Sequence, residues 1–307
     1  MRLFVTGASG FIGSAVVSEL HDVGHEVLGL ARSDVSAERL GVLGVEVVRG
    51  SLTDLETLRS AAAGCDGVIH LAFAHGDPSA ADSDRVAIEA LGDALTGTGR
   101  PLVITSGTLV LPAGRLASEE DSPDPSAPAA ARAAGERAAL ALAGRGVRAS
   151  VVRLAPCVHD QIKRGFVGGL IDAAVRSGFA GYLGDGSQRW PALHRRDAAR
   201  LYRLAVEAAP AGSVLHGVAD EGVPLGAIEE QIADRLGLPL RQVSPEEAPA
   251  YFGWLATLAG VDAPASSAAT RALLDWKPEH PGLLDDLTHG DFFPDAGHTR
   301  RLGNEQQ

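Results

Sequence analysis

The sequence predicts an α/β fold in which a doubly wound parallel sheet carries a smaller C-terminal lobe. Short apolar runs alternate with stretches of helical spacing from residue 1 to about residue 154, the rhythm of right-handed βαβ units and hence of a parallel sheet. The first apolar run breaks into glycines at 7, 10 and 13 and then becomes helical, so a glycine turn occupies a strand-to-helix corner. From Pro156 the alternation loosens into mixed helices and glycine turns, which marks the start of the lobe.

The opening strand ends at Thr6, and Ser14 to Leu20 continues with helical spacing. Glu26 to Leu30 reads as a second strand with Arg32-Ser33-Asp34 at its end, followed by a helix over Ser36 to Leu43. Val45 to Val48 is a third strand, Asp54 is placed to N-cap the next helix, and Gly67 to Ala72 is a fourth strand. A helix near Asp84 to Leu95, a strand Leu102 to Thr105, a helix Ala129 to Ala143 and a strand Val147 to Leu154 bring the sheet to six strands. Leu111 to Pro128, rich in Pro, Ala, Ser and acidic residues, reads as a surface loop above the carboxyl ends of the strands. In the second half, Asp197 to Ala209 is a helix, Val214 to Val218 a strand and Pro224 to Leu236 an amphipathic helix with proline near its start. The polar segment after Phe293 reads as a frayed tail over 294–307.

Composition narrows the function classes. A net charge of −12, with no basic cluster, argues against a nucleic-acid partner. Cys65 and Cys157 are the only cysteines, and the histidines show no HExxH, so neither a disulfide framework nor a metal site is expected. No apolar run approaches the length of a membrane span or of a signal-peptide core, and the expected setting is cytoplasmic. The expected partner is a small-molecule substrate, and a homodimer is an admissible assembly.

The glycine turn carries the first chemistry. Gly7 can make the tight turn, Gly10 lets the backbone approach a pyrophosphate, and Gly13 lets helix pack on strand, while the N–H groups at the helix start favour an anion. Ser9, Phe11 and Ile12 belong to the same cradle. A dinucleotide is therefore the expected cofactor. At the end of the second strand a carboxylate would bind a ribose diol, whereas an arginine attracts a 2′-phosphate. Arg32 and Ser33 stand at that turn, so NADP(H) is favoured over NAD(H). The expected division is a dinucleotide-binding domain over 1–155, completed by about 195–218, and a substrate lobe over 156–194 and 219–293.

Taken together, these residues resemble the extended and atypical branch of the short-chain dehydrogenase/reductase family, often described as epimerase/dehydratase-like. Thr6 to Gly13 matches its TGxxGFIG turn, Val68 to Ala72 its VIHLA strand, Gly184 to Gln188 its GDGxQ segment, and His194 with Asp197 its later H-x-x-D. The resemblance implies a Rossmann-type fold. It also implies that Leu71, Ala72 and Phe73 line the cofactor, that Ser51 and Leu52 stand at the adenine, and that Pro156 passes the nicotinamide carboxamide.

The chain departs from the family in its chemistry. The resemblance calls for a tyrosine proton donor with a lysine four residues later, plus a Ser or Thr on the substrate oxygen. Tyr182, Tyr202 and Tyr251 are followed four residues on by Gly186, Val206 and Leu255, and the only lysines are Lys163 and Lys277. Alignment on Glu136 puts Pro128 in the tyrosine's place and Arg132 in the lysine's. Arg132 can still hold ribose hydroxyls, but proline has no proton to deliver. The hydroxyl position falls on Ser106 or, one residue on, Gly107. His159, Tyr182 or water is then left as the proton donor, with His75 a weaker candidate of the same kind. Cys157 lacks an evident base and reads as a small core residue. Trp190 stands where nucleotide-sugar enzymes place an arginine; with Phe166, Phe179, Tyr251, Phe252 and Trp254 it suits either an apolar substrate or the core of the lobe. Three readings stay open: a reductase of a small carbonyl compound, a non-catalytic NADP(H)-binding sensor, and an epimerase or dehydratase.

Overall fold

The computed structural model describes residues 1–293, and the tail expected over 294–307 lies outside the described residues. The first half runs β1 (Arg2–Thr6), α1 (Phe11–Asp22), β2 (Glu26–Ala31), α2 (Asp34–Val42), β3 (Glu46–Arg49), α3 (Leu55–Ala63), β4 (Gly67–His70), α4 (Ala80–Leu95), β5 (Pro101–Gly107), α5 (Ala133–Ala141) and β6 (Arg148–Leu154). It continues through β7 (Cys157–His159), α6 (Gly165–Ser177), β8 (Ala180–Leu183), β9 (Arg189–His194), α7 (Arg195–Ala208), β10 (Ser213–Gly217), β11 (Asp220–Pro224), α8 (Leu225–Leu236) and β12 (Leu240–Val243). Four short helices follow: α9 (Ala248–Phe252), α10 (Ala256–Ala259), α11 (Ala268–Leu274) and α12 (Leu283–His289).

The large sheet has seven strands in the order β10-β6-β5-β4-β1-β2-β3, all parallel. Leu3, Phe4 and Val5 of the central β1 are fully buried, as a parallel strand covered on both faces requires. One face is closed by α1 and α7 through Val16, Val17, Leu20, Leu201 and Val206. The other is closed by α3, α4 and α5 through Leu58, Ala62, Ile88, Leu91 and Ala139. Strand order reverses between β1 and β4, which opens a crevice at their carboxyl ends. The smaller β11-β9-β7 and β12-β8 sheets pack with α6, α8 and α12 around a separate core that includes Trp190, Ile171, Ile228 and Phe252.

Several sequence expectations are corrected here. The fourth strand stops at His70 rather than Ala72, because the Ala72 N–H turns out of the ladder to donate to Thr6 Oγ1 at 3.2 Å. α4 starts at Ala80, a turn before the expected Asp84; that aspartate is 3% exposed and accepts from His70 at 3.1 Å, so it faces the core instead of opening the helix. The helix expected over Ala129 to Ala143 divides into a 3₁₀ turn at Ala130–Arg132, α5, and a second 3₁₀ segment at Leu142–Arg145. Leu111 to Pro128 is a loop as expected, and it is tied to the later chain: Ala117 N donates to Pro264 O at 3.0 Å, and Glu119 accepts from the Thr270 N–H and hydroxyl at 2.7 and 2.6 Å. Asp54 caps α3 as expected, accepting from Thr57 N at 3.4 Å.

Glu229 of α8 is fully buried in the lobe, and neither carboxylate oxygen makes a hydrogen bond of good geometry among the described residues. Burial therefore pushes its carboxyl well above the usual carboxylate range. The folded state holds that proton after the unfolded chain has lost it, so stability falls as pH rises. Glu229→Gln is expected to match the wild type at about pH 5 and to exceed it in thermal midpoint by a widening margin toward about pH 9, read by thermal melts across that range.

Candidate active site

At the β1–α1 corner, backbones meet too closely for side chains. Gly7 takes φ +70°, and a Cβ there would sit 2.7 Å from Ala72 N. A Cβ on Gly13 would fall 2.1 Å from Gly7 O. Gly10 precedes α1 without a side chain to cap it, so the first amide groups of a 12-residue helix face the crevice with no side-chain partner from the cap residue. This backbone cradle fits a pyrophosphate. Arg195 adds positive charge beside it, its guanidinium 4.8 Å from the centre of the Phe11 ring, with Nη1 donating to Phe11 O at 3.3 Å and Nη2 paired to Asp160 at 2.9 Å. Sequence reasoning missed Arg195; its place directly after the His194 of H-x-x-D was the available signal.

At the end of β2, Arg32 is exposed and makes no hydrogen bond or ion pair among the described residues. Ser33 N-caps α2 by accepting from Ser36 N at 3.2 Å. Arg49 donates to Ser33 O at 2.7 Å and pairs with Asp34, which neutralises the nearest carboxylate. Ser51 Oγ hydrogen-bonds the Thr53 hydroxyl at 2.9 Å, and Leu52 packs against the helix-covered core.

The β5 rim gathers the polar groups nearest the expected chemistry. Ser106 Oγ, Thr108 Oγ1 and Arg132 Nε are buried without hydrogen-bond partners among the described residues. Arg132 donates from Nη2 to Thr105 O at 2.8 Å and lays its guanidinium 4.2 Å over the Phe73 ring. Burial lowers its affinity for a proton, and the charge of Asp84 opposes that effect. Beneath the rim, Thr105 Oγ1 meets the Tyr202 hydroxyl at 2.7 Å and donates to His70 O at 2.8 Å, while His70 joins Thr6 to Asp84. Tyr202 is thereby a fully buried structural group whose phenol titrates far above its usual range. Pro128 borders a cleft of about 510 Å³ closed on the lobe side by Thr257 and Val261.

Two expected donors lie elsewhere. His159 is 2% exposed, its Nδ1 held by Asp286 at 2.7 Å and its ring edge-on to His194 at 5.6 Å, with Nε2 unpartnered. His159 is thus buried against a carboxylate with one ring nitrogen left open. Tyr182 sits on the β12-β8 sheet, its ring against the Gly184–Gly186 turn rather than on the rim of the large sheet. Cys157 is buried, its thiol pushed up to about 12, as a core residue should be. Pro156 is half-buried between β6 and β7.

His159, His194 and His280 surround Asp286 and Asp197. Asp197 accepts from Glu279 N, His280 N and His280 Nδ1 at 3.0, 3.1 and 2.9 Å, anchoring the chain after α11. His194, Asp197 and His280 bring potential ligand atoms within 4.8 Å of one another, but the two imidazoles stack face to face at 4.6 Å and 7°, so their in-plane lone pairs do not converge.

The class of protein follows from this arrangement: an α/β protein with a dinucleotide cradle at the switch point of its sheet. Residues 3–216 match the NAD dependent epimerase/dehydratase family, and the chain belongs to it. An uncharacterized protein of Schizosaccharomyces pombe is 46% identical over 298 residues, 95% of this chain and all of that protein. A 4-hydroxy-2-methyl-3-oxo-4-farnesyl-3,4-dihydroquinoline-1-oxide ketoreductase of Stigmatella aurantiaca is 31% identical over 70% of this chain and 67% of its own length. Among solved structures, MoeE5 in complex with UDP-glucose and NAD superimposes with a TM-score of 0.76 at 26% identity, covering 99% of this chain and 100% of that one. The protein is thus an NAD(P)-dependent oxidoreductase-type enzyme of the extended short-chain dehydrogenase/reductase group.

His194 is held neutral by burial and by the positive potential of His159 and His280, which outweigh Asp286 and Asp197 and bring its imidazole down from 6.5 to about 4. The unfolded chain takes up that proton first, so stability is lost as pH falls from the ordinary histidine range toward the folded value. Thermal melts between about pH 7 and about pH 4 are expected to show that decline, and His194→Asn, which keeps an N-cap acceptor for Arg196 N, is expected to shallow it.

Proposed function

We propose that this protein is an NADP(H)-dependent reductase of a ketone or related unsaturated group in a small apolar or aromatic substrate, working without a tyrosine–lysine pair. The observation that carries the reading is the unpartnered Ser106 Oγ, buried at the β5 rim one residue from the carbonyl that Arg132 holds. A buried hydroxyl without a partner is costly unless a ligand completes it, and a carbonyl oxygen is a fitting complement. When bound, the nicotinamide supplies a hydride. Gly7, Ser9, Gly10, Phe11 and Ile12 would hold its pyrophosphate, Leu71, Ala72 and Phe73 would flank it, Pro156 would meet the carboxamide, and Arg132 would reach the ribose hydroxyls. Ser51 and Leu52 would border the adenine. In this reading residues 1–155 with 195–218 form the cofactor half, and 156–194 with 219–293 the substrate lobe.

Preference for the phosphorylated dinucleotide is supported by the exposed Arg32 and by Arg49, which engages Asp34. The apolar character of the substrate is supported by the lobe. Trp190 is 1% exposed, packs edge-on against Phe166 at 5.9 Å, and donates its indole N–H to Val261 O at 3.2 Å. Arg189, the nearest cation, is neutralised by Asp262 through contacts at 2.8 and 2.9 Å. Among the described residues, the arginine next to Trp190 is thus engaged by Asp262 rather than free for a diphosphate.

Arg32→Ala is expected to weaken NADPH binding by about tenfold or more while leaving NADH binding within about twofold, measured by fluorescence titration; equal losses would show that the phosphate is not recognised there. Loss of NADPH absorbance with aromatic and polycyclic ketones tests the activity. Tight NADPH binding with no turnover across a broad set would favour a sensor, the reading that Pro128 in the tyrosine's place supports.

A further inference from the structure

We propose that His75, on the loop after β4, is the group that exchanges a proton with the substrate oxygen in this site, replacing the family's tyrosine. The inference rests on the reductase reading above. β4 ends at the switch point, and the loop that follows it starts beside the glycine turn, Ala72 N donating to Thr6 Oγ1 at 3.2 Å. The His75 N–H donates to Phe73 O at 3.1 Å and Asp77 N to Ala74 O at 3.1 Å, a compact double turn completed by Gly76 at φ +86°. The imidazole meets the Phe73 ring edge-on at 4.9 Å, and the same ring carries the Arg132 guanidinium 4.2 Å away. His75, Phe73 and Arg132 therefore form one contiguous cluster, joined to β5 by the Arg132 bond to Thr105 O, and Ser106 and Thr108 on and after that strand leave their hydroxyls unpartnered among the described residues.

Other histidines near the sheet have at least one ring nitrogen bonded, although His159 Nε2 and His216 Nε2 have no partner among the described residues. His70 bonds Thr6 and Asp84, His159 bonds Asp286, His216 bonds Ser266 O, and His280 bonds Asp197. His75 is exposed and has no hydrogen-bond partner on either ring nitrogen among the described residues. It can reach solvent for a proton while resting against Phe73. Partial desolvation of the ring and the charge of Arg132 both hold its imidazole below the ordinary histidine range. Arg132 is in turn moderated by Asp84 of α4.

A neutral imidazole suits the oxidative direction. The alcohol O–H bond breaks and an N–H bond forms on His75, the O–H electron pair becomes the second bond of the carbonyl, and the carbinol hydrogen leaves with its pair to the oxidised dinucleotide. Reduction reverses this: the imidazolium returns its proton to the oxygen as the carbon accepts hydride, so reduction should quicken as pH falls toward the His75 value. Ser106 would position the oxygen, and Arg132 would tune the imidazole.

His75→Gln, in the full chain and with a ketone that the wild type reduces, is expected to lower kcat by about 10²–10⁴-fold. It is also expected to abolish the acidic limb of the pH profile while leaving the NADPH dissociation constant unchanged. An unchanged kcat in an active wild-type background would overturn the role of His75 alone; a wild type inert with every ketone would overturn the reductase reading and this proposal with it. A second measurement is independent of turnover. Proton–nitrogen NMR of the unliganded protein should show His75 titrating below the ordinary histidine value, moving up in Arg132→Met and staying low in Arg132→Lys. Titration at the ordinary value in all three proteins would sink the proposal.

Discussion

Where the backbone leaves β1, the glycine turn, the start of α1 and the end of β4 approach within distances that exclude a side chain at Gly7 or Gly13. That contact sets the depth of the crevice and aims the first turn of α1 into it. It is held from below by Thr6, whose hydroxyl bonds His70 and accepts from Ala72 N, while His70 passes the connection to Asp84 on α4. One buried polar network thus fixes β1, β4 and α4 relative to the turn. Its members are mutually satisfied, which is what makes such a network specify a single geometry.

The β5 rim is built on the opposite principle. Ser106, Thr108 and Arg132 present buried polar atoms that the protein does not complete. Arg132 is steadied by a carbonyl, by the face of Phe73 and by distant acidic charge, but by no direct salt bridge among the described residues. A guanidinium held this way keeps hydrogen-bonding capacity for a ligand and adds positive potential to everything near it. The contrast with Arg153, buried in a bidentate pair with Glu136, separates an arginine that stabilises the fold from one left open at the site.

Val158, Leu193, Ala265 and Trp276 join the apolar core of the large sheet beside Leu154, Leu201 and Val206, and polar locks add to that packing. Arg195 links the glycine turn to Asp160, Asp197 anchors the chain around Glu279 and His280, and Glu119 binds the loop over the β-strand ends to Thr270. These contacts join residues far apart in the chain. The lobe's own core is sealed by Trp190, Phe166 and their neighbours.

The sequence by itself determined the parallel sheet, the order of its first six strands and the glycine cradle, because each depends on local periodicity and on glycines whose spacing encodes backbone contact. Arg32 at the end of β2 and the absence of a Tyr-x-x-x-Lys pair were equally legible, being statements about residue identity at a motif position. Tertiary structure decided the rest. It turned Asp84 inward, buried His159 against Asp286, and brought Arg195 to Phe11 across most of the chain. It also separated two loop histidines that look alike in sequence, one tied to a carboxylate and one left free on an aromatic ring beside an arginine. The difference is physical: a residue's protonation chemistry is set by desolvation and by charges within a few ångströms, and those neighbours come from segments whose proximity no local pattern encodes.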